Sequence, residues 1–304
     1  MQPKDIIVNH YGELRVGWRL LSFVVLLAVI LLVLGAPLRM LGVRSDFAGS
    51  IVTLASTLGA TYTTTRFVNR KPFGAIGFSL HSHMFREFGI GCLLGFLMMS
   101  GIFVVELLSG FIHLEWGGLS LLACVRAVLW ALVGFSVAAF AEEALFRGYF
   151  FQTLIQWITF LPATLVLAVA FAWSHYANPH ATIFSLVNVG FAGVWLSIAY
   201  FKTRSLWLPS GLHLSWNFAQ TTVYAFPTSG ISFTDNRLMN LTQSGPEWIT
   251  GGAFGPEGGI LATIALIVST WYILKSTSLM APKGIVTLDS VEDLLPKSFN
   301  QEPA

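Results

Sequence analysis

AVLWALVGFSVAAFAEEALFR, residues 127–147, decides what kind of protein this is. No charge interrupts the run from Ala127 to Ala141; then Glu142, Glu143 and Arg147 arrive together, and aromatics resume at Tyr149, Phe150 and Phe151. In an apolar medium each such charge costs about 2.5–3.5 kcal/mol on insertion scales, so acids in a spanning segment mark a functional site by default.

The rest of the chain is of the same kind. Its 304 residues are 55% hydrophobic and only 11% charged, with a mean hydropathy of +0.70. Soluble globular proteins carry about 25% charged residues. The composition therefore specifies an all-α, polytopic membrane helical bundle. A formal net charge of +2 with no long basic run argues against nucleic acid as a partner. Cys92 and Cys124 lie in apolar segments, read as small buried hydrophobes, and offer no disulfide framework. The first apolar run, Leu20 to Leu34, follows Lys4, Arg15 and Arg19 as a signal peptide would. It is long and lacks a small-x-small cleavage site, so it reads as an uncleaved first transmembrane helix.

Eight segments are apolar enough to span, at approximately 18–36, 47–65, 88–110, 120–155, 161–177, 181–201, 206–226 and 258–275. The fourth exceeds one crossing, so part of it should protrude or tilt. Arg66, Arg70, Lys71 and Arg86 lie between segments 2 and 3, Lys202 and Arg204 between 6 and 7, and Lys275 closes segment 8. With Lys4, Arg15 and Arg19 these fall on one side, which makes both termini cytoplasmic; Arg39, Arg44 and Arg126 run against that placement. Residues 72–78 are too short to span and should lie at the interface. The 227–257 connection, rich in Gly, Pro, Ser and Thr, reads as an external loop. The chain then divides into 1–119 (three helices and the interfacial loop), 120–226 (a four-helix core bearing the site), 227–280 (external loop and last helix) and 281–304, a polar cytoplasmic tail expected to be disordered.

Ionisable and hydrogen-bonding groups enter the apolar segments at few places. They are Glu142, Glu143 and Arg147 on the fourth, His175 on the fifth, Asn188 on the sixth, and His213 and Asn217 on the seventh. Glu142 and Glu143 differ by about 100° around a helix and point apart. Glu143 and Arg147 are i,i+4 and can pair in the favoured order, acid first, which leaves Glu142 free to face a cavity. His213 and Asn217 share a face by the same spacing. If the fourth and fifth segments form an antiparallel hairpin turning near Pro162, Glu142 and His175 fall within about two turns of depth. His213, just past the 6–7 turn, should lie nearer the cytoplasmic surface. Asn188 reads as an interhelical hydrogen-bonder, Glu106 as an acid at the external interface, and His81 and His83 as a solvated loop pair.

A carboxylate in low dielectric can act as general base toward water, a histidine can orient that water or hold a metal, and an asparagine amide can donate to an oxyanion. Together they suit water-assisted hydrolysis of a carbonyl. G-x-S-x-G and H-E-x-x-H are both absent.

At these residues the sequence resembles the CPBP family, which comprises type II CAAX prenyl proteases and abortive-infection-like membrane proteins. Its E-E-x-x-x-R motif matches Glu142, Glu143 and Arg147; F-x-x-x-H matches Phe171 and His175; H-x-x-x-N matches His213 and Asn217, all in the family's order. The resemblance spans roughly residues 120–220. It implies an eight-helix intramembrane endopeptidase opening toward the cytoplasm. Glu142 would activate the water, His175 would assist, His213 and Asn217 would stabilise the oxyanion, and Glu143 and Arg147 would support them. Members are often called metalloproteases, which makes zinc a candidate cofactor with Glu142, His175 and His213 as candidate ligands. The implied partners are membrane lipid and a protein or peptide substrate, a prenylated CAAX terminus among them. Two other function classes use the same residues: a proton-coupled transporter, against which the absence of repeated halves counts, and a non-catalytic immunity or scaffold protein.

Overall fold

The computed structural model describes residues 6–9, 13–43, 45–231, 238–282 and 284–288. Ten helices carry the described chain: α1 (Val16–Met40), α2 (Asp46–Thr63), α3 (Met84–Leu108), α4 (Leu121–Arg147), α5 (Tyr149–Ile158), α6 (Phe160–Ser174), α7 (Ile183–Thr203), α8 (Trp207–Phe218), the single turn α9 (Glu247–Thr250) and α10 (Ile260–Lys275). Strands β1 (Ile112–Trp116) and β2 (Met239–Gln243) pair antiparallel, with Leu114 opposite Leu241.

All eight expected segments are helical, and the protein is an all-α membrane bundle. Among the described residues, only α1, α3, the α4–α5 pair and α7 have the length and apolar composition of a full crossing; α6 and α10 are apolar but shorter. At 1.5 Å per residue those two helices reach about 22–24 Å, short of a hydrocarbon core of about 30 Å.

The bundle has two distinct ends. At one, Leu206 N–H donates to the Gly77 carbonyl (2.9 Å), Arg86 to that of Ser278 (2.8 Å) and Lys202 to that of Leu274 (2.9 Å). This end gathers the arginine- and lysine-bearing connections. At the other, β1 pairs β2, Asn178 Nδ2 donates to the Ser229 carbonyl (3.0 Å), and Asn188 Nδ2 donates to those of Glu257 (2.8 Å) and Gly259 (2.9 Å). We call them the basic end and the loop end.

The fourth segment neither tilts nor protrudes as one rod. It breaks at Gly148, where an added Cβ would press into the Ala144 carbonyl. α5 then runs under the basic end, where Gln152 Nε2 donates to the Ile76 carbonyl (2.6 Å) and Gln152 Oε1 accepts from Leu288 N–H (3.2 Å). Two further segments pack there. The segment around Phe73–Ile76 is tucked into the bundle, with Ala75 and Ile76 buried beside Phe23 and Tyr149. The first part of the tail is docked, with Leu288 buried in the same cluster; the remainder of 289–304 lies outside the described residues.

α3 and α8 meet backbone to backbone, because glycines face each other across the contact. A Cβ at Gly91 would stand 2.9 Å from Leu212 N, and one at Gly211 would stand 3.0 Å from Cys92 N. This close approach fixes α8, and with it His213. Overpacking a buried contact costs about 1–3 kcal/mol. Gly211→Val should therefore lower the melting temperature of the detergent-solubilised protein by several degrees, whereas Gly101→Ala, with nothing near its Cβ, should leave it unchanged.

Candidate active site

Glu143 is the hub. It is fully buried, and its Oε1 accepts from Arg147 Nη1 (3.0 Å) and from His213 Nδ1 (2.8 Å). The i,i+4 pair read from the sequence is thus present, with a cross-helix partner that the sequence did not reveal. Arg147, 1% exposed, donates from its second terminal nitrogen, Nη2, to the Gly193 carbonyl of α7 (3.1 Å) and lies over the Phe171 ring of α6 at 4.6 Å. One ion pair thereby ties α4, α6, α7 and α8 together.

That arrangement sets the state of His213. A carboxylate only accepts, so Nδ1 carries the proton facing Glu143 and Nε2 is turned toward Glu142, 3.8 Å from its Oε2. His175 is oriented in the same manner. Its Nδ1 lies 2.8 Å from the Phe171 carbonyl and its ring lies 4.9 Å from that of Phe171 in a tilted contact, leaving Nε2 for the cavity. The histidine that approaches Glu142 is therefore His213, while His175 faces the same space from the end of α6.

Glu142, His175, His213, Asn217 and Asn188 all line one cavity of about 770 Å³. His213 is not displaced toward the surface as expected, because Glu142 sits only five residues before the end of its helix. The break at Gly148, not the turn near Pro162, sets its depth. Asn188 is engaged on both sides of its amide, accepting from Thr263 (2.6 Å) and donating to two carbonyls of the chain entering α10. That is the interhelical role read from the sequence.

Glu257 is a wall residue that the sequence reading missed. Its carboxylate accepts from Trp216 Nε1 (3.2 Å) and from both the N–H and the hydroxyl of Ser229 (2.7 Å each). It sits in a Gly/Pro-rich loop with no helical spacing to reveal it. Glu106 lies at the loop end beside β1–β2, where it is fully buried, and His81 is corrected: it is largely buried, 3.6 Å from Glu87. Desolvation, and secondarily the neighbouring His83, hold His81 below the usual histidine pKa.

The donors do not fit a zinc ion as placed. Among the described residues no three His, Cys, Asp or Glu side chains converge as a ligand set, although the two histidines, held through Nδ1, keep Nε2 for the cavity.

Residues 124–219 match the model of a family described as Type II CAAX prenyl endopeptidase Rce1-like. The matched stretch is about a third of the chain and contains Glu142, Glu143, Arg147, Phe171, His175, His213 and Asn217. No curated protein and no solved structure gives a match.

Removing one partner of a buried ion pair strands the other, at a cost of about 3–5 kcal/mol. Arg147→Met should therefore destabilise the purified protein by that amount in a denaturant or thermal titration. Glu143→Gln combined with Arg147→Met should recover part of the loss.

Proposed function

We propose that this CPBP family intramembrane protease, an integral membrane protein, hydrolyses a peptide bond with a water activated by Glu142. The observation that carries the reading is the placement of Glu142 Oε2. Its carboxylate lines the cavity on a side chain 33% exposed, and Oε2 stands 3.8 Å from an imidazole nitrogen whose opposite edge is fixed by Glu143. That separation is too long for a direct hydrogen bond, which leaves the cavity-facing carboxylate to take up a water.

The steps follow from these groups. Glu142 takes a proton from the water as the oxygen attacks the scissile carbonyl. Negative charge builds on the carbonyl oxygen, and the Asn217 amide is the donor that can receive it. Glu142 then returns its proton to the departing amine, so the carboxylate ends as it began. His175 assists from the opposite wall. Glu143 and Arg147 do not touch the reacting atoms; they position His213. No step runs through a metal, because the donor set does not converge on one. The substrate is a protein or peptide, and the family description makes a C-terminal CAAX sequence, prenylated or plain, one candidate. The arginine- and lysine-rich connections support a cytoplasmic basic end and cytoplasmic termini.

The test is hydrolysis by the purified protein of a mixed set of plain and prenylated peptides. A general base contributes about 10²–10⁴-fold, so Glu142→Gln should lose at least about 10²-fold in kcat at an unchanged melting temperature. An oxyanion donor contributes about 10²–10³-fold, the loss expected for Asn217→Ala. A chelator should leave the wild-type rate unchanged, and metal analysis should find less than one equivalent. Equal rates in the wild type, Glu142→Gln and His175→Ala would sink the mechanism. Proton flux that Glu142→Gln abolishes, in a wild type that cleaves nothing, would identify a carrier instead.

A further inference from the structure

The cavity has a direction. On α4 its wall runs from Ala127 to Glu142, about 22 Å of helix at 1.5 Å per residue. It extends to Ser45, Gly49, Asn178, Thr228, Ser229 and Leu238, all at the loop end. Glu142 and His213 form the floor. No described residue of 64–83, 148–159, 204–206 or 276–288 lines it.

Between that floor and the basic end the protein is closed. Arg147, Tyr149, Gln152, Ile76 and Leu206 lie there, each 0–1% exposed. The Gln152 to Ile76 bond and the Leu206 to Gly77 bond stitch this layer together. A peptide reaching Glu142 from the basic end would have to unpack it.

The charges of the connections are as lopsided as the cavity. The basic end carries Arg15, Arg19, Arg66, Arg70, Lys71, Arg86, Lys202, Arg204 and Lys275 in or beside its connections, whereas the loop end carries Arg39 and Arg126 among the described residues, with Arg44 and Arg237 in its connections by sequence. It also bears the acids Glu115, Glu247 and Glu257. Short basic connections are retained on the cytoplasmic side of a membrane.

From these two asymmetries we infer that the catalytic cavity opens on the non-cytoplasmic face of the membrane. Its substrate is then a peptide segment of an exported or membrane-anchored protein presented on that face. A cytoplasmic prenylated C terminus would meet the sealed end. The assignment rests on the protease reading for the substrate's chemistry, but its sidedness rests on cavity shape and charge alone. It reverses the cytoplasmic opening that the family resemblance implies.

Two measurements on the full-length protein in sealed membranes test it. In a Cys92→Ala, Cys124→Ala background, Gly49→Cys at the loop end and Leu80→Cys at the basic end are treated with a membrane-impermeant sulfonated maleimide. Gly49 has no atom within 4 Å of an added Cβ, and Leu80 is 79% exposed, so both variants should fold; Val43→Cys is a second reporter of the loop end. Gly49→Cys should label in intact cells and Leu80→Cys only after permeabilisation. The reverse pattern would overturn the inference. In parallel, a fluorogenic peptide cleaved by the purified enzyme is added to right-side-out and inside-out vesicles. Cleavage should occur in the former without detergent and in the latter only with it; cleavage confined to inside-out vesicles would contradict the inference. Labelling reads sidedness without catalysis. Outside labelling with no hydrolysis by the purified wild type would therefore overturn the protease reading and the substrate class, and leave the sidedness standing.

Discussion

A buried carboxylate with two cationic or proton-bearing partners holds this molecule in its working shape. Glu143 has no exposure to solvent, and an ionised carboxylate in such a place is tolerated only where it is paired and hydrogen-bonded. Arg147 supplies the charge and His213 the second hydrogen bond. Satisfying Glu143 obliges α8 to present His213 at one height and rotation, and obliges α7 to bring the Gly193 carbonyl to the guanidinium. The close glycine contact between α3 and α8 supports the same placement from the other side. The reactive edge of His213 and the free oxygen of Glu142 face each other because of these packing demands.

Adjacent glutamates thus do opposite work. Glu143 faces the packed interior and is spent on structure. Glu142, one residue earlier and about 100° around the helix, faces the cavity. Polar groups otherwise engaged at the walls, such as Asn188 and Glu257, hold the chain entering α10 and the loop at Ser229 against the bundle. They shape the cavity without competing for the reacting atoms.

Much of this was legible in the sequence, and what was not has a common cause. Apolar runs bounded by charged connections marked the eight helical segments. The i,i+4 rule found the Glu143–Arg147 pair and put His213 and Asn217 on one face, and both line the cavity. Local rules cannot supply the offset between two helices, so the Glu143–His213 bond was invisible. Gly148 was similarly opaque: a glycine in a long apolar run does not announce a break, and the depth inferred for Glu142 was measured from the wrong turn. Glu257, the β1–β2 pairing and the docking of Leu288 join parts of the chain more than 25 residues apart, which no periodicity reports.

The central claim is direct attack by a Glu142-activated water, with no covalent stage. Single-turnover cleavage in ¹⁸O-enriched water, followed by mass spectrometry of both the product and the intact enzyme, tests it most directly. The account predicts one ¹⁸O in the newly formed carboxylate and an enzyme mass that never rises. A transient enzyme–peptide adduct, or capture of the peptide by an added amine, would contradict it.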